Sequence, residues 1–233
     1  MERRDFVKLC AASATAVSLP ESAAAGTLNA RTYRKTKLVD AQGKPLHPGD
    51  LKVGTTYVFD YPFTATPAFL LRLDKPVNGG IDLRTEAGDL YRWNGGVGSE
   101  KAVVAYSAIC AHKMTYPTRQ VSFIGYRDAP SPVAVKGKVI TCCSDRSVYD
   151  PAEGAKVVSG PAPQPLATIL LEHDPKADEL WAVGTFGGEM FTEFFKKYEF
   201  RLQLEMGNRA RAEVNGTATV KELSTYSAQW AQC

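Results

Sequence analysis

The sequence predicts a mainly β fold, either a sandwich or a small barrel, for most of the chain. Two observations support this prediction. Residues 55–59 and 68–73 are short runs of β-favouring or apolar residues, and turn signals recur between such runs. Short strands joined by frequent turns are typical of sandwiches and barrels. The turn signals are Gly43-Lys44-Pro45, His47-Pro48-Gly49-Asp50, Asn78-Gly79-Gly80 and Asn94-Gly95-Gly96.

Length and composition limit the classes of protein that fit. The 233 residues suit one domain with appendages or two small domains. With 28 basic and 25 acidic residues, the chain lacks the charge excess typical of nucleic-acid binding. Its five cysteines are too few and too irregularly spaced for a disulfide scaffold. They are Cys10, Cys110, Cys142, Cys143 and Cys233.

Residues 1–25 resemble an export signal of the twin-arginine type. Arg3-Arg4 precedes a short, weakly apolar run over residues 9–19, and Ala23-Ala24-Ala25 provides small residues for cleavage. Pro20 and Glu21 interrupt the run well short of the ~20 apolar residues that a spanning helix needs. We therefore expect a bacterial periplasmic protein that contacts a membrane only through a partner or an uncleaved signal. An N-terminal tail on a cytoplasmic protein is the alternative.

Beyond residue 187 the pattern changes, which predicts a C-terminal extension over residues 188–233. Apolar residues recur at helical spacing over 189–198, which predicts an amphipathic helix. Residues 200–206 alternate between apolar and polar, as in a strand, and Asn215-Gly216 is a hairpin signal. The expected extension is small and of mixed α+β structure. Either it packs against the β core, or it forms a docking surface for a partner.

Two short motifs carry the predicted chemistry. Cys110-Ala111-His112 places a thiol and an imidazole two positions apart, and Cys142 is followed three positions later by Asp145. Two loops of this kind can hold a two-iron cluster, with thiolates on one iron and nitrogen or oxygen ligands on the other.

These motifs resemble the Rieske 2Fe-2S domain, in particular the iron-sulfur subunit of cytochrome bc complexes. Other ordered elements extend the resemblance over residues 35–185: a strand before Cys110, Ser147 and Tyr149 after the second motif, the proline segment Gly160-Pro161-Ala162-Pro163, and a returning hairpin over 169–184. The resemblance implies an antiparallel β-sandwich over residues 26–187. A cluster-binding subdomain over about 106–165 would be inserted in it.

By this resemblance, Cys110 and Cys142 would bind one iron and His112 and Asp145 the other. The hydroxyls of Ser147 and Tyr149 would hydrogen-bond to the 2Fe-2S cluster, and the segment that begins at Gly160 and Pro161 would cover it.

The chain departs from the family in three ways. Asp145 stands where the family has its second histidine ligand, and Thr115 and Ser144 replace two cysteines that cross-link the family's loops. The loop over residues 113–141 is longer than in the cytochrome bc subunits and contains Pro117, Pro130 and Pro132. Prolines restrict the backbone, so we hypothesise that local stiffness replaces the missing disulfide.

Other arrangements of the site stay open at this stage. Cys143 could replace Asp145 as the fourth ligand, or it could pair with Cys233 in a disulfide after export. The domain could also bind no cluster, in which case Asp145 would be an ordinary loop carboxylate.

The expected function is one-electron transfer. Replacing a neutral imidazole by the Asp145 carboxylate adds a negative charge, which predicts a potential between those of Rieske centres and all-thiolate ferredoxins. A deprotonated Asp145 disfavours quinol oxidation by the family's route. It favours electron exchange with a haem or copper protein, or a role as small subunit of an oxidoreductase. The alternative is a cluster-free scaffold or interaction protein. A Rieske-type oxygenase is disfavoured, because the chain has three histidines and no second domain with a two-histidine, one-carboxylate iron site. We therefore favour an electron-transfer protein or redox subunit over an enzyme that acts on its own.

Overall fold

The structure, a computed structural model, describes residues 27–233, and these are mainly β. The strands before the predicted site are β1 Arg31–Val39, β2 Tyr57–Asp60, β3 Pro67–Arg72, β4 Asn78–Arg84, β5 Leu90–Gly95 and β6 Val103–Ser107. Those that follow are β7 Val121–Ser122, β8 Ile124–Arg127, β9 Val139–Cys142, β10 Ser147–Asp150, β11 Lys156–Ser159, β12 Thr168–Asp174 and β13 Glu179–Phe186. The C-terminal part contains α1 Met190–Lys197, α2 Glu199–Met206, β14 Gly216–Thr219, β15 Lys221–Glu222, α3 Leu223–Tyr226 and β16 Gln229–Trp230.

One large sheet organises the described residues. Its eight strands run in the order β14, β1, β13, β12, β6, β3, β2, β15, and the sheet curls into a nearly closed barrel. Apolar side chains from its central strands fill the core. Val58, Phe69 and Leu70 are fully buried. Strands β12 and β13 form the predicted returning hairpin, with Asp174 paired to Glu179 at its end.

The predicted inserted subdomain is present. Strands β6 and β12 are neighbours in the large sheet, paired at Tyr106 and Thr168, so residues 108–167 leave the sheet and return to it at the same place. Within the insertion, β11, β10, β9 and β8 form a four-stranded antiparallel sheet. Buried Tyr106 donates a hydrogen bond from its hydroxyl to the Pro151 carbonyl at 2.7 Å, which joins the two sheets.

The predicted export signal and Cys10 lie outside the described residues. Among residues 27–233, no helix combines the length and the apolar character that crossing a membrane requires.

The C-terminal extension differs from the sequence prediction in two places. Helix α1 forms as predicted. The prediction of a strand over 200–206 is wrong, because these residues belong to helix α2. In a segment where every second residue is apolar, some apolar residues are also four positions apart, and residues four positions apart lie on the same face of a helix. The alternating pattern therefore does not distinguish a strand from a helix here. Leu202 is buried, whereas Phe200 and Leu204, four positions apart, are 78% and 72% exposed.

The predicted hairpin at Asn215-Gly216 is also wrong. Strand β14 pairs in parallel with β1, beginning at Thr36 and Gly216, while Glu213 forms a bridge with Phe63. The segments on either side of the turn therefore pair with different partners. The free edge of β1 was available because β13 pairs with its other edge.

Helix α1 packs its aromatic face against the β core and against the predicted site. The Phe195 ring lies 5.4 Å from that of Phe63, edge to face. Phe194 is fully buried, and its ring lies 5.1 Å from that of Tyr116. This face therefore supports the core, which was one of the two roles considered for the extension.

We predict that Phe194→Ala lowers the free energy of unfolding by about 3–5 kcal/mol, because it leaves a cavity between α1 and Tyr116. Chemical denaturation followed by circular dichroism measures this change. The matched variant Phe200→Ala removes an equally large but exposed side chain, and we expect a change within about 0.5 kcal/mol. Equal losses in both variants would contradict the burial of α1.

Candidate metal centre

The first site loop, residues 108–115, leaves the large sheet at the end of β6. The Cys110 N–H donates to the Thr115 carbonyl at 2.8 Å, and the Met114 N–H donates to the Cys110 carbonyl at 2.9 Å. Met114 has a positive φ of 56°, which lets the chain turn tightly. Cys110 is completely buried by this turn, whereas 36% of the His112 side chain is exposed.

The second site loop, residues 143–146, is the turn between β9 and β10. Cys142 and Ser147 are paired across this hairpin, and the Arg146 N–H donates to the Cys142 carbonyl at 2.8 Å. Arg146 has a φ of 64°, in the left-handed region. The Ser147 N–H donates to Asp145 Oδ1 at 2.9 Å, which orients the carboxylate.

The two loops bring all four predicted metal ligands together. Cys110 Sγ, Cys142 Sγ and a carboxylate oxygen of Asp145 lie within 4.8 Å of one another. His112 Nδ1 lies 3.0 Å from Asp145 Oδ2, and Cys110 Sγ lies 3.2 Å from the same oxygen. Only 1% of the Asp145 side chain is exposed. Two sulfurs, one imidazole nitrogen and one carboxylate therefore form a single buried cluster with His112 at its outer edge.

The proximity of the two thiols separates their pKa values. A hydrogen bond from Cys142 lowers the pKa of Cys110 despite burial, and the Tyr149 hydroxyl and two backbone N–H groups assist. The same contact, together with burial, raises the pKa of Cys142. Burial acts to raise the pKa of Asp145, but the Ser147 N–H and neighbouring thiols outweigh it, so the net shift is downward. A metal cation would favour the thiolate form of both cysteines.

Two hydroxyl groups on β10 complete the surroundings of the thiols. The Tyr149 oxygen lies 3.3 Å from Cys110 Sγ and accepts a hydrogen bond from the Ala111 N–H at 3.2 Å, so its proton is free to be donated to the sulfur. The Ser147 hydroxyl is buried and makes no hydrogen bond of good geometry among residues 27–233, although it lies near enough to the Asp145 carboxylate to help lower the pKa of that group. A buried hydroxyl without an acceptor is costly, and a bound group that accepts its proton would remove that cost.

The segment predicted to cover the site begins beside the second site loop. Gly160 has a φ of 91°, and a Cβ there would lie 2.5 Å from the Arg146 carbonyl oxygen and 2.6 Å from Ser147 Cα. Only glycine allows this close approach of the backbones. Pro161 follows at the surface of the protein.

The chemistry of these groups fits a two-iron cluster. Two thiols, an imidazole and a carboxylate provide four ligands of the required kinds, and Ser147 and Tyr149 could donate hydrogen bonds to sulfur. One distance needs adjustment. Cys110 Sγ and Asp145 Oδ2 are 3.2 Å apart, and ligands on two different irons must lie further apart than that. The Asp145 carboxylate would therefore have to turn away from Cys110.

Cys143 forms a disulfide with Cys233, 90 positions away along the chain. This was one of the arrangements left open by the sequence, and it leaves Cys143 without a thiolate to offer as a fourth ligand. Cys110 and Cys142 are the free cysteines among the described residues.

No protein-family model matches the chain. The chain is similar to the soluble domain of the Rieske protein II (soxF) from Sulfolobus acidocaldarius, with 25% sequence identity over 66% of this chain and 78% of that one. The TM-score is 0.46.

Sequence patterns did not reveal the contacts that surround the site. Lys197 Nζ on α1 donates to the Lys113 carbonyl at 2.7 Å, and the Arg201 guanidinium lies 5.6 Å from the centre of the Tyr116 ring. Arg127 Nε donates to Thr141 Oγ1 at 3.0 Å, behind the second site loop. These residues belong to no motif. The one feature of the sequence that indicated a connection between the site and the end of the chain was the possible disulfide between Cys143 and Cys233.

We predict that Tyr149→Phe raises the pKa of the Cys110 thiol in the metal-free protein, because the hydroxyl that stabilises the thiolate is lost. The ultraviolet absorbance of the thiolate should then appear at higher pH than in the parent chain. Both proteins would carry Cys10→Ser so that this thiol does not contribute.

Tyr61→Phe is the matched control for this titration. Tyr61 is also fully buried, and its hydroxyl has no partner among the described residues. The control should leave the titration unchanged. An unchanged titration in Tyr149→Phe would mean that the hydroxyl does not donate to Cys110.

Proposed function

We propose that this chain is an exported one-electron transfer protein that carries a Rieske-like 2Fe-2S cluster. Cys110 and Cys142 would bind one iron, and His112 and Asp145 the other. The observation that carries the proposal is the meeting of these four side chains in one cluster, with the Tyr149 hydroxyl beside the Cys110 sulfur. When bound, such a cluster would take up and release one electron.

The side chains around the site would shift the reduction potential of a bound cluster in opposite directions. The Tyr149 hydroxyl, 3.3 Å from Cys110 Sγ, can withdraw electron density from that sulfur by donating a hydrogen bond, and the unpartnered Ser147 hydroxyl can do the same for a bound group. Both effects favour the reduced state and raise the potential. The Asp145 carboxylate adds negative charge, which lowers the reduction potential.

His112 gives the site its contact with the surface. Its side chain is 36% exposed, whereas that of Asp145 is 1% exposed and Cys110 and Cys142 are buried. An electron partner such as a haem protein, a copper protein or a larger oxidoreductase subunit would therefore approach from the side of His112. Asp145 stands where the family has its second histidine ligand. Because its pKa is lowered, Asp145 is deprotonated, which disfavours quinol oxidation coupled to proton transfer.

The first test measures iron and acid-labile sulfide in the exported protein and records its electron paramagnetic resonance spectrum after reduction. We expect about two irons and two sulfides per chain and the spectrum of one reduced cluster. A folded protein without metal would overturn the proposal and leave a scaffold or interaction protein.

A single metal ion is the second candidate, and the ligand distances favour it. Adjacent ligands in a tetrahedral zinc site, with bonds of about 2.1–2.3 Å, lie roughly 3.5 Å apart. Cys110 Sγ and His112 Nδ1 lie 3.2 and 3.0 Å from the same Asp145 oxygen. One metal ion per chain without acid-labile sulfide would establish this alternative.

We predict that Asp145→His raises the reduction potential, because it removes one negative charge at the cluster. His-ligated centres span about −150 to +300 mV, against about −400 mV for plant-type ferredoxins, so the parent should lie between these groups. Protein-film voltammetry measures the shift.

Asp82→His is the matched control for the potential. It removes the same charge from β4, where Asp82 is 65% exposed and pairs with Arg92. The control should shift the potential little, because exposed charges are screened. A potential that does not rise in Asp145→His would argue against Asp145 as a ligand.

Export is a separate part of the proposal. Replacing Arg3 and Arg4 together by lysine should keep the protein in the cytoplasm, because the arginine pair is the expected recognition element. Cell fractionation followed by immunoblotting measures this. The same two changes at Arg31 and Arg34 should leave export intact. Normal periplasmic yield from the Arg3 and Arg4 variant would exclude the twin-arginine route.

A further inference from the structure

The C-terminal tail, residues 227–233, runs beside the segment that follows the first site loop. Ser227 Oγ donates to the Thr118 carbonyl at 2.6 Å. Strand β16 then pairs in parallel with β7, with Trp230 beside Ser122, and the Ala231 N–H donates to the Ser122 carbonyl at 2.8 Å. The tail is thus attached along its length to the chain that leads away from Cys110 and His112.

The end of the same tail is bonded to the second site loop. Cys233 forms its disulfide with Cys143, which stands directly after Cys142 and two positions before Asp145. The Cys143 N–H also donates to the Phe123 carbonyl at 2.7 Å, next to β7. The second site loop is therefore connected both to the tail and to the strand that the tail lies on.

Arg127 and Trp230 form a third connection behind the second site loop. The Arg127 guanidinium lies 5.3 Å from the centre of the Trp230 ring, donates from Nη2 to the Ala231 carbonyl at 3.4 Å, and donates from Nε to Thr141 Oγ1 at 3.0 Å. Gly125 leaves room for the indole, since a Cβ there would lie 2.9 Å from Trp230 Nε1. These contacts connect strands β8 and β9 to the C-terminal tail.

We propose that the C-terminal tail is a strap that fixes the two site loops relative to each other, with Cys143 and Cys233 as positioning residues. Hydrogen bonds hold it to the segment after the first loop, and a covalent bond holds it to the second loop. A cross-link reduces the conformations open to the segments it joins. Metal ligands need such restriction, because they must stay within about 0.5 Å of a productive arrangement.

This inference rests on the proposed function only where it treats the site loops as carriers of metal ligands. Whether the tail restricts the motion of the two site loops is a separate question, which can be tested with or without metal. The strap would act alongside the stiffness expected from the prolines of the long loop, because it joins the segment after the first site loop to the second site loop.

The experiment compares the parent chain with Cys143→Ser/Cys233→Ser by hydrogen–deuterium exchange and mass spectrometry. Amides in residues 108–124, which include the first site loop, and in residues 141–149 should exchange roughly tenfold faster or more in the variant, because local opening becomes easier. Amides of the β12–β13 hairpin should be unchanged. Unchanged site loops, or an equal acceleration in the hairpin, would overturn the proposal.

A second variant keeps the proposal testable if the double variant does not fold. Ser227→Ala removes the hydrogen bond to Thr118 and leaves the disulfide intact, and it should accelerate exchange in residues 118–122. The matched control is Ser224→Ala, which changes an exposed serine on α3, the short helix that ends directly before Ser227, and it should change nothing. Equal behaviour of the two serine variants would contradict a strap attached at Thr118.

Metal retention tests the positioning role. In the protein as isolated, the bound metal should be lost to a chelator roughly tenfold faster from the double cysteine variant than from the parent. Loops that loosen without faster metal loss would show that the strap does not position ligands. A parent chain without metal would refute the proposed function, while the exchange result would still decide whether the strap exists.

Discussion

The pairing of β6 with β12 is the constraint on which the rest of the structure depends. Because these two strands are neighbours in the large sheet, the subdomain between them starts and ends at one place and can form its own sheet. The hydrogen bond from Tyr106 to the Pro151 carbonyl connects the two sheets at this junction. The first site loop therefore begins from a buried, rigid strand, which gives Cys110 a fixed position.

Burial and charge then act together at the site. Cys110, Cys142 and the Asp145 side chain are almost completely buried, and an unpaired charge is costly at buried positions. The short distances between them show how the protein reduces that cost: the Cys110 thiol donates to Asp145 Oδ2 at 3.2 Å, and the Ser147 N–H donates to the other carboxylate oxygen at 2.9 Å. A cation bound among these groups would offset the same cost more completely. The exposed His112 is the member of the set that a partner protein can contact.

The C-terminal part of the chain contributes to the site from two sides. Helix α1 buries Phe194 against Tyr116 and contacts the first site loop through Lys197, while the tail reaches the second site loop through Cys233. Segments that are distant in sequence therefore support two short loops whose own turns contain residues with positive φ. Such support from outside the loops is consistent with their tight and otherwise unfavourable backbone conformations.

The sequence by itself determined the mainly β class, the β12–β13 hairpin and helix α1, because these depend on local strand, turn and helical patterns. The inserted subdomain and the four candidate ligands were implied by the resemblance that the two short motifs carry. Tertiary structure decided that residues 200–206 are helical and that β14 pairs with β1, because a period of two also contains i, i+4 pairs and because a free sheet edge competes with a local hairpin. It also decided between a free Cys143 and a disulfide, since pairing depends on which distant segments fold side by side, a property that spacing along the chain does not contain.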